Sequence, residues 1–141
     1  MFRTILVGTD GSGTAAAAVA HAVGLAKATG AELLVVSAYA SPKEAAPPFG
    51  EAQGFPGIEV AKGLLADAER RYAGDVKLRT VAREGAPADA ILDVAEDEKA
   101  DIIVVGNKGM TGAKRLVLGS VPNAVSHHAP CHVLIVHTTD D

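Results

Sequence analysis

Thr4-Ile5-Leu6-Val7-Gly8-Thr9-Asp10-Gly11-Ser12-Gly13 is the stretch that decides the fold of this 141-residue chain. A short apolar, β-rich run stops at a glycine-rich turn, the pattern of a strand buried on both faces that feeds a turn. Such strands belong to sheets covered by helices on each side. From Thr14 to Thr29 the chain is alanine-rich, with Val19, Val23 and Leu25 at near-helical spacing, and Gly30 stands where a left-handed cap ends a helix.

The same alternation continues outward. Glu32 to Ala38 reads as a second buried strand, and Tyr39 to Pro56, with four prolines and two glycines, as a long loop. A helix is predicted over Ile58 to Tyr72, with Ala61, Leu64, Leu65 and Ala68 on one face. Val76 to Arg83 alternates as a strand with one drier face. Pro87 sits in the first turn of a third helix whose buried side is Ile91, Leu92, Val94 and Ala95. Asp101 to Val105 is a fourth strand, Pro122 to His128 a short helix after a Gly119-Ser120 start, and His132 to His137 the last strand.

Five strands alternating with four helices predict one α/β domain over residues 1–141: a doubly wound, mostly parallel five-stranded sheet with helices on both faces. Right-handed crossovers require a reversal of direction across the sheet, and ligands collect beyond the strand carboxyl ends at that switch. With the order 3-2-1-4-5, the turns after the first and fourth strands share one crevice, which ends at Gly119-Ser120.

The chemistry of the two turns is complementary. Gly106-Asn107-Lys108-Gly109 leaves a buried strand with glycines that let backbone N–H groups approach a phosphate. Gly119-Ser120 then offers free N–H groups, a hydroxyl and the positive end of a helix dipole, with Lys108 and Arg115 as added positive charge. Asp10, past the end of the first strand, suits ribose hydroxyls or a divalent cation such as Mg²⁺ or Mn²⁺; it also suits a plain turn cap.

Composition narrows the function. Apolar residues make up 48% of the chain and aromatics 4%, which fits an aliphatic core, and the net charge of -4 argues against a nucleic-acid binder. The single cysteine, Cys131, excludes an intrachain disulfide and reads as a small buried hydrophobe. No apolar run suits a membrane span or a secretory leader, so a cytoplasmic protein is expected. Gly11-x-Gly13-x-x-Ala16 matches a dinucleotide fingerprint, but the second strand ends in Ser37-Ala38-Tyr39 without the acidic residue that fingerprint expects. There is no Gly-x4-Gly-Lys-Ser/Thr phosphate loop, Gly-x-Ser-x-Gly elbow or His-Glu-x-x-His. His127, His128 and His132 cluster around the end of the last helix, where the dipole favours cations, and Pro130 breaks any zinc spacing with Cys131. No catalytic nucleophile and base are visible, so no catalytic residue is assigned.

Gly106-x2-Gly109-x9-Gly119-Ser120 resembles the nucleotide-binding signature of the universal stress protein family. The resemblance extends over Val7 to Ser12, Glu84 to Pro87, Ala100 to Gly106 and His128 to Val136. It implies a stress-response protein that binds ATP or a related adenine nucleotide. Thr9 and Asp10 would lie by the ribose and metal, and the backbone of Ala38 would meet the adenine. Gly106, Asn107, Lys108, Gly109, Arg115, Gly119, Ser120 and Val121 would surround the ribose and phosphates. The resemblance further implies a homodimer, commonly through the last strand, Val133 to Val136. With no visible nucleophile and base, a weak ATPase with a metal at Asp10 is the alternative, limited to slow hydrolysis. The chain departs from many ATP-binding relatives at Asn107-Lys108 and at Pro122, which replaces a hydroxyl and an N–H. The Gly-Ser-Val-Pro form resembles actinobacterial members, some of which favour cyclic AMP.

Overall fold

The computed structural model describes residues 2–41, 57–108 and 118–138. The elements run β1 (Thr4–Gly8), α1 (Gly13–Thr29), β2 (Glu32–Tyr39), α2 (Ile58–Tyr72), β3 (Leu78–Glu84), α3 (Pro87–Asp97), β4 (Ile102–Gly106), α4 (Ser120–His128) and β5 (His132–Val136). All strand pairs are parallel, in the order β3-β2-β1-β4-β5. This is the topology expected from the sequence. Most of the expected loop from Tyr39 to Pro56 lies outside the described residues.

Burial explains why the central strands carry unbroken apolar runs. Ile5, Leu6, Val7, Leu33, Leu34 and Val35 are fully buried because alternate side chains enter two different cores. Ile5, Val7, Leu33, Val35 and Val104 meet α1 and α2 on one face, and Leu6, Leu34, Val36, Ile103 and Val105 meet α3 and α4 on the other. The placement follows from right-handed crossovers: the chain winds from β1 to β3 in one direction, then from β4 to β5 in the other.

Local chemistry fixes the ends of α1. The Ala15 N–H donates to the Ser12 hydroxyl oxygen at 3.2 Å, capping the start. At the other end Gly30 adopts φ +77°, and its N–H donates to the Ala26 carbonyl at 2.8 Å. The buried stripe Ala15, Ala18, Val19, Ala22, Val23 and Ala26 recurs at helical spacing, its small side chains letting the helix lie close to the sheet.

β3 departs from expectation in two respects. β3 begins at Leu78 because the Val76 N–H is spent on the Tyr72 carbonyl, 3.2 Å away, in the turn that closes α2. Its drier face is also weaker than the alternation suggests: β3 is an edge strand, and Val81 packs into the core opposite to that of Leu78 and Ala82. No helix among the described residues is long and apolar enough to cross a membrane.

Candidate nucleotide-binding crevice

β1 and β4 lie side by side at the point where the winding reverses, paired Val7 to Val104. Continuing that register brings the Thr9 turn level with the buried Gly106. Thr14, in the first turn of α1, closes against Gly106 directly. A Cβ built on Gly106 would overlap the Thr14 Cγ2 and lie 3.3 Å from the Thr14 carbonyl oxygen. The two glycine-rich turns therefore meet, and glycine is needed at 106 because a neighbouring helix occupies the space of a side chain.

The first turn is clamped to β2. The Thr9 N–H donates to the Val36 carbonyl at 2.9 Å, and the buried Ser37 hydroxyl donates to the Thr9 carbonyl at 3.0 Å. Ala38, half-buried, follows at the end of β2. Inside the turn, the Gly11 N–H donates to Thr9 Oγ1 at 3.2 Å and the Ser12 N–H donates to Asp10 Oδ1 at 2.9 Å. These bonds consume two amides that could have served an anion. The turn instead presents oxygen acceptors, with Asp10 Oδ1 committed to an Asx turn.

Gly11 holds this turn in the left-handed region at φ +84°, and Leu64 of α2 sits over it: a Cβ there would come within 2.8 Å of Leu64 Cδ2. A cleft of about 200 Å³ runs from Thr9 and Gly11 between α1 and α2.

The second turn presents donors. The Asn107 N–H donates to the Val136 carbonyl at 2.9 Å, and the Asn107 carbonyl accepts the Gly119 N–H at 3.0 Å. Asn107 Oδ1 accepts both the Thr138 N–H, at 3.0 Å, and the Thr138 hydroxyl, at 2.7 Å. Gly119 is the N-cap of α4 with extended backbone and no side-chain cap bond. The first helical amides have no partner within a helix. Pro122 has no N–H, so the amides of Ser120 and Val121 are the intrahelically unpaired donors at this end, beside the exposed Ser120 hydroxyl. Helix polarity adds partial positive charge at that point. One side of the crevice thus offers acceptors suited to hydroxyls or a cation, and the other offers donors suited to an anion.

Of the residues singled out in the sequence, Thr9, Asp10, Ala38, Gly106, Asn107, Gly119, Ser120 and Val121 all fall at the carboxyl ends of β1, β2 and β4 or at the start of α4. The half-buried Lys108 follows Asn107 directly. Gly109 and Arg115 lie outside the described residues. The sequence reading missed Ser37, Thr14, Leu64 and Thr138, which shape the two turns from distant parts of the chain.

The histidines at the end of α4 do not gather. His127 and His128 have ring centroids 6.4 Å apart, while His132 meets Phe2 edge to face at 6.3 Å. Among the described residues, no group of three or more His, Cys, Asp or Glu is placed to hold a metal ion. Cys131 is half-buried against the core rather than fully buried as expected, and the burial it has pushes its thiol above the usual range.

Comparison with known proteins follows the same lines. The family model described as the universal stress protein family matches residues 1–137. Universal stress protein Rv1636 of Mycobacterium tuberculosis is 40% identical over 146 residues, covering 98% of each chain. A universal stress protein of Thermus aquaticus is 43% identical over 143 residues, covering 96% of this chain and 99% of its own. A universal stress protein solved in complex with cAMP superposes with a TM-score of 0.76 at 33% identity, over 98% of this chain and 99% of its own.

Proposed function

The chain belongs to the universal stress protein family, and on that premise we propose that it binds an adenine nucleotide as a regulatory, stress-response protein. The observation that carries the reading is the meeting of an acceptor-rich turn at Thr9-Asp10 with a donor-rich helix start at Ser120-Val121, across the β1–β4 switch point. Ribose hydroxyls donate to the first; phosphate oxygens accept from the second. Adenine lies against the end of β2, where the Ala38 backbone supplies polar contacts. Lys108, and Arg115 from outside the described residues, add charge for more than one phosphate.

ATP is the nucleotide we assign first. Cyclic AMP is the second reading, favoured by Pro122, which leaves α4 two free amides, and by the relative solved with cAMP. A divalent cation fits the donor set through Asp10, since nucleotide-bound Mg²⁺ takes one or two protein carboxylates and completes its shell from phosphates and water. It would supply charge neutralisation for the phosphates. No nucleophile and base are assigned, and turnover at most slow is expected.

A homodimer through β5 accompanies this reading. β5 is an edge strand whose Leu134 and Ile135 are exposed, and an apolar edge invites a second strand.

Calorimetric titration of the purified chain with ATP and with cAMP tests the nucleotide, beside mass spectrometry of any co-purified ligand. Saturable binding of one of them supports the reading; no heat with either and no adenine nucleotide in the preparation refutes it. Phosphate release at several turnovers per minute would instead make the protein an enzyme.

A further inference from the structure

Asn107, like Thr9 across the crevice, has its backbone N–H, backbone carbonyl and side-chain oxygen all engaged inside the protein. Its N–H reaches the last residue of β5, its carbonyl holds the N-cap of α4, and its side chain reaches Thr138 beyond β5. The orientation of the amide is unambiguous, because the Thr138 backbone N–H can only donate and so must face Oδ1. Two short bonds to one oxygen leave that atom little capacity for a ligand.

We propose that Asn107 is a positioning residue rather than a phosphate contact, and that Thr138 is its partner: together they fix the start of α4 against the end of β4. The chain of bonds runs from the Thr138 hydroxyl to the Asn107 side chain, through the Asn107 carbonyl to the Gly119 N–H, and from the Gly119 carbonyl to the Asn123 N–H at 3.0 Å. Ser120 and Val121 lie within the span this chain holds. Thr138 is thirty-one residues from Asn107 in sequence, and only the β4–β5 pairing brings the two together.

The affinity part of the test rests on the nucleotide reading above; the exchange part does not. In the full chain, Thr138→Val removes the hydroxyl donor while keeping shape, and Thr138→Ser restores it. Calorimetry well below the unfolding midpoint is expected to give ATP or cAMP affinity three- to tenfold weaker for Thr138→Val and unchanged for Thr138→Ser, about the effect of one neutral hydrogen bond. Asn107→Ala weakens binding at least as much. The double variant matches Asn107→Ala within twofold, since partners acting through one link are not additive. Wild-type affinity in Thr138→Val, or effects that multiply in the double variant, would overturn the proposal by making Asn107 a direct contact. Hydrogen exchange at the Gly119 and Asn123 amides, without nucleotide, provides the independent reading. Faster exchange in Thr138→Val but not in Thr138→Ser supports the link, and equal rates in both refute it. A wild-type chain that binds neither nucleotide refutes the functional reading alone, leaving the link to be judged on exchange.

Discussion

Replacing Gly106 by alanine adds one methyl group at the place where the two turns meet. That methyl has nowhere to go: it overlaps the Thr14 Cγ2 and lies 3.3 Å from the Thr14 carbonyl oxygen, and the latter belongs to the backbone of α1. The Thr14 side chain is β-branched and stiff, so relief must come from moving α1 or the end of β4. Overpacking of this kind costs about 1–3 kcal/mol. For a chain of this size, roughly 3–5 °C of midpoint accompanies each kcal/mol, so a fall of about 3–15 °C is expected. Displacing the turn also disturbs the crevice, and nucleotide affinity should fall at least about tenfold, or about 1.4 kcal/mol. The decisive control is Thr14→Ser in the same chain, which removes the offending methyl and keeps the hydroxyl. Thermal and urea unfolding of Gly106→Ala, Thr14→Ser and the double variant would show most of the stability returning in the double. A Gly106→Ala chain as stable as the wild type, or one that Thr14→Ser fails to rescue, would refute the close approach of α1 to β4.

Other substitutions separate site from scaffold. Gly30→Ala forces a side chain into φ +77° with open space around it, so it should cost about 1–2 kcal/mol in unfolding and leave nucleotide affinity unchanged. Ser120→Ala removes an exposed hydroxyl: stability should stay within about 0.5 kcal/mol, while calorimetry should read a several-fold weaker affinity, and equal affinity would remove Ser120 from the site. Asp101 holds the start of β1 by accepting the Thr4 N–H at 2.9 Å and the Arg3 N–H at 2.8 Å, and these bonds lower its carboxyl below the usual range. A carboxyl so depressed binds fewer protons folded than unfolded, so its stabilisation is complete above the unfolded value near 4 and lost as pH falls through the folded one. Asp101→Asn should therefore be destabilised at pH 7 and show a shallower loss of stability in acid, and parallel acid curves for the two proteins would contradict this. Leu134→Lys should shift the proposed dimer to monomer in sedimentation without loss of nucleotide binding.

The physical reasons that made most of this fold readable are local. β1, β2 and β4 announce themselves because strands covered on both faces must be apolar throughout. α1 carries its own Ser12 cap and Gly30 stop, and Pro87 marks the first turn of α3. The handedness of the crossovers leaves few strand orders once the β-α alternation is seen, and glycine-rich turns after both β1 and β4 fit the order that makes those strands neighbours. What remained hidden depends on parallel register. Ser37 and Thr9, Thr14 and Gly106, and Asn107 and Thr138 are distant in sequence; the first and last meetings are set by which residues stand level across neighbouring strands, and the second by where α1 lies on the sheet. Serine and threonine at those positions look like any surface hydroxyl until the sheet is assembled. The fading of the alternation in β3 has the same origin, since an edge strand with two half-covered faces has no strict inside.

The polarity of the crevice comes from bonding local to each turn. Both turns are rich in glycine and appear alike in sequence, yet one spends its amides on Thr9 and Asp10 while the other leaves those of Ser120 and Val121 at a helix start. On the proposed reading, a nucleotide would take one orientation in this crevice: sugar towards Asp10, phosphate towards α4.

Amide spectra of the ¹⁵N-labelled chain, recorded while ATP or cAMP is added, test this orientation most directly. The largest saturable shifts should fall on Thr9, Gly11, Gly106, Ser120 and Val121. Shifts confined instead to the cleft of about 670 Å³ at the opposite end of the sheet, around Phe2, Cys131 and His132, or no saturable shifts at all, would contradict it.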